Sequence, residues 1–111
     1  MKAKYNQIID SLERVGDGIV IFDKDLNYVY VNESGGKLLS RSPNDLIGKN
    51  YKKEYPEALE TPFGKAYLRA LETQQPQYLE ENYLPWDKWF SNRIFPSEYG
   101  VTTVSYTHLR A

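Results

Sequence analysis

Residues 18–36 read GIVIFDKDLNYVYVNESGG. Two β-rich apolar runs, GIVIF and YVYV, flank the short polar segment DKDLN. Asp23, Asp25 and Asn27 carry side chains that bond nearby backbone groups in turns. The stretch therefore predicts a β-hairpin.

The sequence changes character where the second apolar run ends. Asn32 follows that run and can cap a helix that begins at Glu33. Gly35 and Gly36 weaken such a helix, since glycine is a poor helix former, but they would let it lie close to the sheet. We therefore expect the chain to pass from the hairpin directly into a helical layer.

Downstream, the helix signals come first and the strand signals come last. Ser42 before Pro43, and Thr61 before Pro62, are typical of a helix cap followed by proline in the first turn. The segments QPQYLEENYLP, DKWFSNRIFP and VTTVSY each predict a strand. This order favours an α+β domain with one antiparallel sheet and helices on one face. In the longer predicted helix, four apolar residues are expected to share a face: Phe63, Tyr67, Leu68 and Leu71.

The segment before the hairpin predicts a helix over residues 1–15, with Gly16 as its stop. Its apolar residues alternate in steps of three and four, like the seam of a coiled coil. Such a short helix needs a surface to pack on, either its own domain or a second copy of the chain. The seam residues are Tyr5, Ile8, Leu12 and Val15.

Composition excludes several classes of function. The 111 residues fit one domain and include no cysteine, so disulfides, iron–sulfur ligation and cysteine nucleophiles are excluded. One histidine, His108, offers no basis for a zinc site. A net charge of −1 argues against nucleic acid as a partner. The chain contains neither a long apolar run nor a signal peptide, so we expect a cytoplasmic setting and no membrane contact by this segment.

The order of these motifs resembles a PAS domain, the sensory module of bacterial histidine kinases and related signalling proteins. The resemblance covers residues 16–106 and rests on GIVIFDKDLNYVYVN, SPNDLIGKNYKKEYPEA, WDKWFSNRIFP and YGVTTVSY together. It implies a five-stranded antiparallel sheet, short helices over one face, often a small cavity, and an N-terminal flanking helix that forms a homodimer. Residues that fall where the family usually shows the same types are Gly18, Asp23, Asn32, Leu46, Gly48 and Pro56.

The chain departs from the family pattern in two places. The family usually has glycine where this chain has Leu26, so either the turn is of another type or leucine is in a left-handed conformation that costs about 1 kcal/mol. The last residues, SYTHLRA, stand where the family has a motif leading to an output helix. They resemble translated read-through of a sequencing adapter, so we expect residues 107–111 to be a non-native tail and an output domain to be missing.

The resemblance points to a small-ligand cavity between the helices and the sheet. An apolar pocket with a few fixed polar groups is the usual form of such a site, and the alternative is that the same residues simply pack against one another. Haem is not expected, because His108 in the suspected tail is the only histidine that could ligate the iron. A cysteine-linked flavin is not expected, because the chain contains no cysteine. The cavity candidates are Tyr51, Tyr55, Tyr67, Leu71, Phe90, Asn92 and Thr103.

The leading functional hypothesis is a signalling module with no catalysis of its own. The alternative is a small ligand carrier or enzyme on a cone-shaped α+β fold, which would have to work without an internal histidine. A third hypothesis is a PAS-like domain that relays signals and binds no ligand. The acidic run EYPEALE and the pair Glu80–Glu81 match no metal-binding loop, so no metal site is expected.

Overall fold

The computed structural model describes residues 17–83 and 87–108. The predicted flanking helix over residues 1–15 lies outside this part. The strands are β1 (Gly18–Asp23), β2 (Tyr28–Val31), β3 (Gln77–Tyr83), β4 (Lys88–Ser97) and β5 (Gly100–His108). The helices are α1 (Glu33–Leu39), α2 (Pro43–Leu46), α3 (Tyr51–Glu54) and α4 (Pro62–Thr73), with a 3₁₀ helix at Ala58–Glu60.

The five strands form one antiparallel sheet in the order β2-β1-β5-β4-β3. The predicted fold class is therefore confirmed, with the last strand in sequence at the centre. Alternate residues of each strand face the helices, which cover one side of the sheet and leave the other side without helical cover from the described residues.

The hairpin prediction is also confirmed. Asp23 organises the turn: its Oδ1 accepts hydrogen bonds from the backbone N–H groups of Asp25 at 2.9 Å and Asn27 at 3.0 Å. Its Oδ2 accepts from Asn27 Nδ2 at 3.0 Å. These bonds lower the pKa of Asp23 against the opposing effect of partial burial.

Leu26 adopts the left-handed conformation, with φ of 63°. This decides between the two readings of the turn in favour of the left-handed one. The side chain is only 1% exposed and belongs to the hydrophobic core. The turn therefore places a leucine where the family has no side chain.

Asn32 caps α1 as predicted and also joins that helix to the sheet. Its Oδ1 accepts from the backbone N–H of Gly35 at 2.7 Å and from that of Ile19 at 2.8 Å. Its Nδ2 donates to the backbone oxygen of Asp17 at 3.1 Å. One fully buried amide thus fixes the start of α1 against β1.

The two glycines of α1 have different roles. Gly35 lies against the sheet as predicted, because a Cβ on Gly18 of β1 would be 2.9 Å from the Gly35 Cα. Gly36 does not face the sheet: a Cβ there would lie 2.5 Å from the backbone oxygen of Arg41 and 2.9 Å from Cδ of Pro43. The second glycine therefore permits the tight connection to α2.

The predicted caps of the later helices are confirmed, and the predicted face of α4 is wrong only at Leu68. Ser42 accepts from the N–H of Asp45, and Thr61 from that of Gly64, each at 3.3 Å. Leu68 is 43% exposed rather than buried. The buried face of α4 consists of Phe63, Gly64, Ala66, Tyr67 and Ala70, because small residues there let the helix approach its neighbours.

The ladder between β4 and β5 extends past residue 106. Thr107 pairs with Phe90, and His108 pairs with Trp89. The first two residues of the predicted tail, 107–111, are therefore part of a central strand. Among residues 17–83 and 87–108, no helix is long and apolar enough to cross a membrane.

Candidate ligand cavity

A cavity of about 90 Å³ lies between the sheet and the helical layer. Its floor is the inward face of three adjacent strands. The floor residues with side chains beyond a hydrogen are Val20 and Phe22 of β1, Phe90 and Asn92 of β4, and Thr103 and Ser105 of β5. This row of strands is continuous, because β5 lies between β1 and β4.

The helices and their connections supply mainly aliphatic and aromatic walls. Leu38 and Leu39 come from α1, and Phe63 and Tyr67 come from the first turns of α4. The remaining aromatic walls are Tyr28 of β2, Tyr51 of α3 and Tyr55 just after α3. The site is therefore built from every layer of the domain.

Six of the seven cavity candidates from the sequence line this space: Tyr51, Tyr55, Tyr67, Phe90, Asn92 and Thr103. Leu71 does not. It is partly buried against the hydrophobic core, while its neighbour Ala70 is completely buried. The cavity meets the first half of α4, and Leu71 lies one turn beyond Tyr67.

Sequence reasoning missed the contribution of β1 and β2. Gly18, Val20 and Phe22 alternate along β1 and share the inward face. Ser105 stands two residues after Thr103 and shares its face for the same reason. Period-two alternation was the available signal, but it cannot separate cavity residues from ordinary core.

The aromatic residues pack on one another and still leave space. The ring centroid of Phe22 lies 4.7 Å from that of Tyr28, 5.4 Å from that of Tyr51 and 5.2 Å from that of Tyr67. The Tyr51 and Tyr67 rings meet edge to face at 5.3 Å. Mutual packing, the alternative considered for these residues, thus accounts for one side of the cavity but does not fill it.

Two buried polar side chains of the sheet face the cavity. Asn92 is 5% exposed and Thr103 is 1% exposed. Asn92 Oδ1 has no hydrogen-bond partner among the described residues, whereas the Thr103 hydroxyl lies beside that of Tyr67. The strand register places Asn92 opposite Ser105, and Ser105 opposite Gly18. The two residues beside the amide across the sheet are therefore small.

The nearby tyrosine hydroxyls are neutral. Burial raises the pKa of Tyr67, and the neighbouring Thr103 hydroxyl lowers it by a smaller amount. Burial also raises the pKa of Tyr28, and the Tyr67 and Tyr55 hydroxyls raise it further. These groups offer hydrogen bonds rather than charge.

Charged residues surround the cavity but do not line it in the described structure. Arg41 binds the carboxylates of Asp45 and Glu54, each at 2.7 Å. Arg93 lies on the opposite face of the sheet from Asn92, 3.8 Å from the carboxylate of Asp17. Arg93 thus pairs with a carboxylate that precedes β1.

Metal and haem chemistry find no support in the side chains that line this space. Neither histidine nor cysteine is among the lining residues of the described chain. Within the same described ranges, no group of histidine, cysteine or acidic side chains could hold a metal ion. The available chemistry is hydrogen bonding and apolar contact.

Comparison with known proteins agrees with this architecture. A PAS domain from Colwellia psychrerythraea aligns with a TM-score of 0.72 and 16% identity, covering 95% of this chain and 97% of the other. A sensory box sensor histidine kinase from Vibrio cholerae aligns with a TM-score of 0.70 and 19% identity, covering 98% of this chain and 96% of the other.

A third structure, VqmA bound to DPO, aligns with a TM-score of 0.70 and 17% identity. The alignment covers 93% of this chain and 57% of VqmA. No curated protein matches the sequence. At these identities the structures establish the fold alone.

The sequence itself matches a family model described as the PAS fold over residues 12–106. This match begins near the end of the predicted flanking helix and ends at the residue where the resemblance was expected to end. Together with the sheet order and the helical cover, it settles the family: the chain belongs to the PAS fold family.

Proposed function

We propose that this chain is the sensory module of a sensor histidine kinase or a similar multidomain signalling protein, and that it binds a small molecule in the cavity. The observation that carries the proposal is the cavity itself, which brings the buried and unpartnered Oδ1 of Asn92 into an apolar space. Unpaired buried polar groups are costly, so a ligand that pairs with them gains affinity.

The comparisons support this assignment. PAS domains are generally sensory and non-catalytic modules, and a sensor histidine kinase is among the similar structures. VqmA, which shares the fold, was determined bound to DPO. These likenesses support a signalling role and ligand binding by this fold.

The module is proposed to act as a cytoplasmic homodimer through the seam of Tyr5, Ile8, Leu12 and Val15. The apolar spacing of this seam supports the proposal. A dimer would couple a change in one cavity to whatever domain follows, since such coupling needs a shared two-state element. No catalytic step is assigned to the domain, because burial keeps the Tyr28 and Tyr67 hydroxyls neutral and no acid–base pair joins them among the described residues.

Native mass spectrometry of the protein as purified from cells tests the ligand part of the proposal. We expect a mass excess that is lost when the same sample is denatured. Ser105→Leu should abolish the excess by filling the inward face of β5. Val104→Leu, one residue away on the outward face, should retain it. The ligand part of the proposal is wrong if the wild-type protein shows no mass excess and binds no small ring compound added in solution. The domain would then relay signals without a ligand.

A further inference from the structure

We infer that the ligand of this cavity is an uncharged, flat molecule about as large as one small ring, and that it donates a hydrogen bond to Oδ1 of Asn92. This inference rests on the proposed function and adds the chemical class of the ligand. It follows from the size, the charge, the walls and the unpaired groups of the site.

The size of the cavity limits the ligand. Its volume is about 90 Å³, whereas pockets for drug-sized molecules span about 300–1,000 Å³. A single ring of five or six atoms is therefore the appropriate scale, and a nucleotide or a fused-ring cofactor is not.

The charge of the lining limits the ligand further. The cavity walls in the described structure carry no charged side chain, and the guanidinium groups of Arg41 and Arg93 face carboxylates elsewhere. Burial keeps the hydroxyls of Tyr28 and Tyr67 neutral. An ionised ligand would lose its hydration without gaining a counter-charge, which disfavours it strongly.

The unpaired groups define the polar contact. An amide oxygen accepts hydrogen bonds, and Asn92 Oδ1 is buried without a donor among the described residues. The Thr103 hydroxyl is buried on the adjacent strand and lies beside the Tyr67 hydroxyl. A ligand with an N–H or O–H group pairs with Asn92, and the hydroxyl of Thr103 can donate to or accept from a second atom of the ring.

The walls define the shape. The rings of Phe22, Tyr51 and Tyr67 meet at tilted and edge-to-face angles, with centroids 5.2–5.4 Å apart. The Phe63 and Phe90 rings add a further edge-to-face pair at 5.9 Å. Aromatic surfaces favour offset or edge contacts with another flat ring. A planar ligand therefore gains more contact here than a branched aliphatic one.

Pyrrole and furan provide a matched test. Both are neutral five-membered aromatic rings, and only pyrrole has a donor N–H. Dissociation constants for the wild-type domain can be measured by titration of backbone amide NMR signals. We expect pyrrole to bind about fivefold more tightly than furan, the effect of one additional net hydrogen bond.

Two variants assign the preference to Asn92. Asn92→Leu removes the acceptor at nearly constant volume, and we expect the pyrrole-to-furan ratio to fall to about 1, since the differential hydrogen bond is lost. Asn82→Leu is the matched control, because Asn82 Oδ1 is also buried and unpartnered but lies outside the cavity on β3. The control should retain the wild-type ratio.

The outcomes separate the inference from the proposed function. Equal binding of pyrrole and furan by the wild type would overturn the inference and leave the cavity as a ligand site. The same holds for a preference that survives Asn92→Leu, or for tighter binding of pyrrole-2-carboxylate than of pyrrole. Failure of both neutral rings to bind at all would overturn the inference and the ligand part of the proposed function together. If Asn92→Leu does not fold, Asn92→Ala removes the same acceptor and the ratio is measured on that variant.

Discussion

Leu26 shows how two opposing effects are resolved at a single residue. A left-handed backbone costs a residue other than glycine about 1–2 kcal/mol. Burying a leucine in a core stabilises by more, since Leu→Ala changes in cores cost about 2–5 kcal/mol. Because Leu26 is completely enclosed, the contribution of its side chain exceeds the strain of its backbone.

Replacing Leu26 by the glycine that the family usually carries should therefore destabilise this protein. We expect Leu26→Gly to lower the free energy of unfolding by about 2 kcal/mol, the cavity term minus the relieved strain. Chemical denaturation monitored by circular dichroism would measure it. Ser40→Gly is the control: Ser40 has nearly the same φ, 59°, but is exposed at the end of α1. The Ser40→Gly variant should be more stable than the wild type by about 0.5–1 kcal/mol. A rise in the free energy of unfolding for Leu26→Gly as well would contradict this explanation.

Two buried asparagines should respond in opposite ways to the same substitution. Asn32 makes three hydrogen bonds to backbone groups, so Asn32→Leu should lower the free energy of unfolding by about 3 kcal/mol. Asn92 Oδ1 is unpartnered, so in the absence of ligand Asn92→Leu should raise it by about 1 kcal/mol. Denaturant titrations of both variants would test this. Destabilisation by Asn92→Leu would show that its amide is already paired in the free protein.

At the scale of elements, Arg41 connects three short helices. It follows α1, and its guanidinium bonds to Asp45 in α2 and Glu54 in α3. Helices of four residues do not persist alone in water. The ion pairs therefore contribute mainly to the placement of these helices against the cavity.

The titration of Asp45 reports on this connection. The hydrogen bond from Arg41, and after it the one from Lys49, hold the pKa of Asp45 below its ordinary value. A lowered carboxyl pKa stabilises the folded state above the pKa of the unfolded chain, and this contribution is lost as the pH falls through the folded pKa. We expect Arg41→Gln to raise the Asp45 pKa, measured by NMR, by more than Lys49→Gln does. A larger rise in the Asp45 pKa from Lys49→Gln would show that Lys49, and not Arg41, makes the main contact with Asp45.

The elements themselves were largely predictable, because their signals are local. Asn32, Ser42 and Thr61 cap their helices with atoms that lie within three residues of the N–H groups they bind. The sequence predicts burial less well where packing against a distant element determines which residues are covered. Leu68 is exposed because α4 presents Gly64 and Ala66 to its neighbours, and the sequence of α4 alone does not show where those neighbours lie.

At the scale of the whole molecule, the proposed dimer depends on the predicted seam before β1. We expect wild-type protein to sediment as a dimer and the double variant Ile8→Lys/Leu12→Lys to sediment as a monomer, because charge at seam positions disfavours helix pairing. Analytical ultracentrifugation would distinguish the two. Asn6→Lys/Gln7→Lys, off the seam, serves as the charge-matched control. Identical masses for both double variants would remove the seam from the interface.

The cavity could be predicted only in part, because its membership depends on the order of strands. Asn92 and Thr103 meet because β4 pairs with β5, and Phe22 joins them because β1 flanks β5 on the other side. Nothing local to residues 18–22 distinguishes a cavity floor from a filled core. Leu71 was included because it follows Tyr67 by one helical turn, whereas the space ends before it.

The register of β4 has a consequence for how such a domain can acquire new ligands. Asn92 faces the cavity, and Arg93 faces the other side of the sheet. Because side chains alternate, a bulge that shifts this strand by one residue would exchange the amide for a guanidinium within the pocket. A single inserted residue could thus convert a receptor for neutral molecules into one for anions, without any substitution among the residues that line the site.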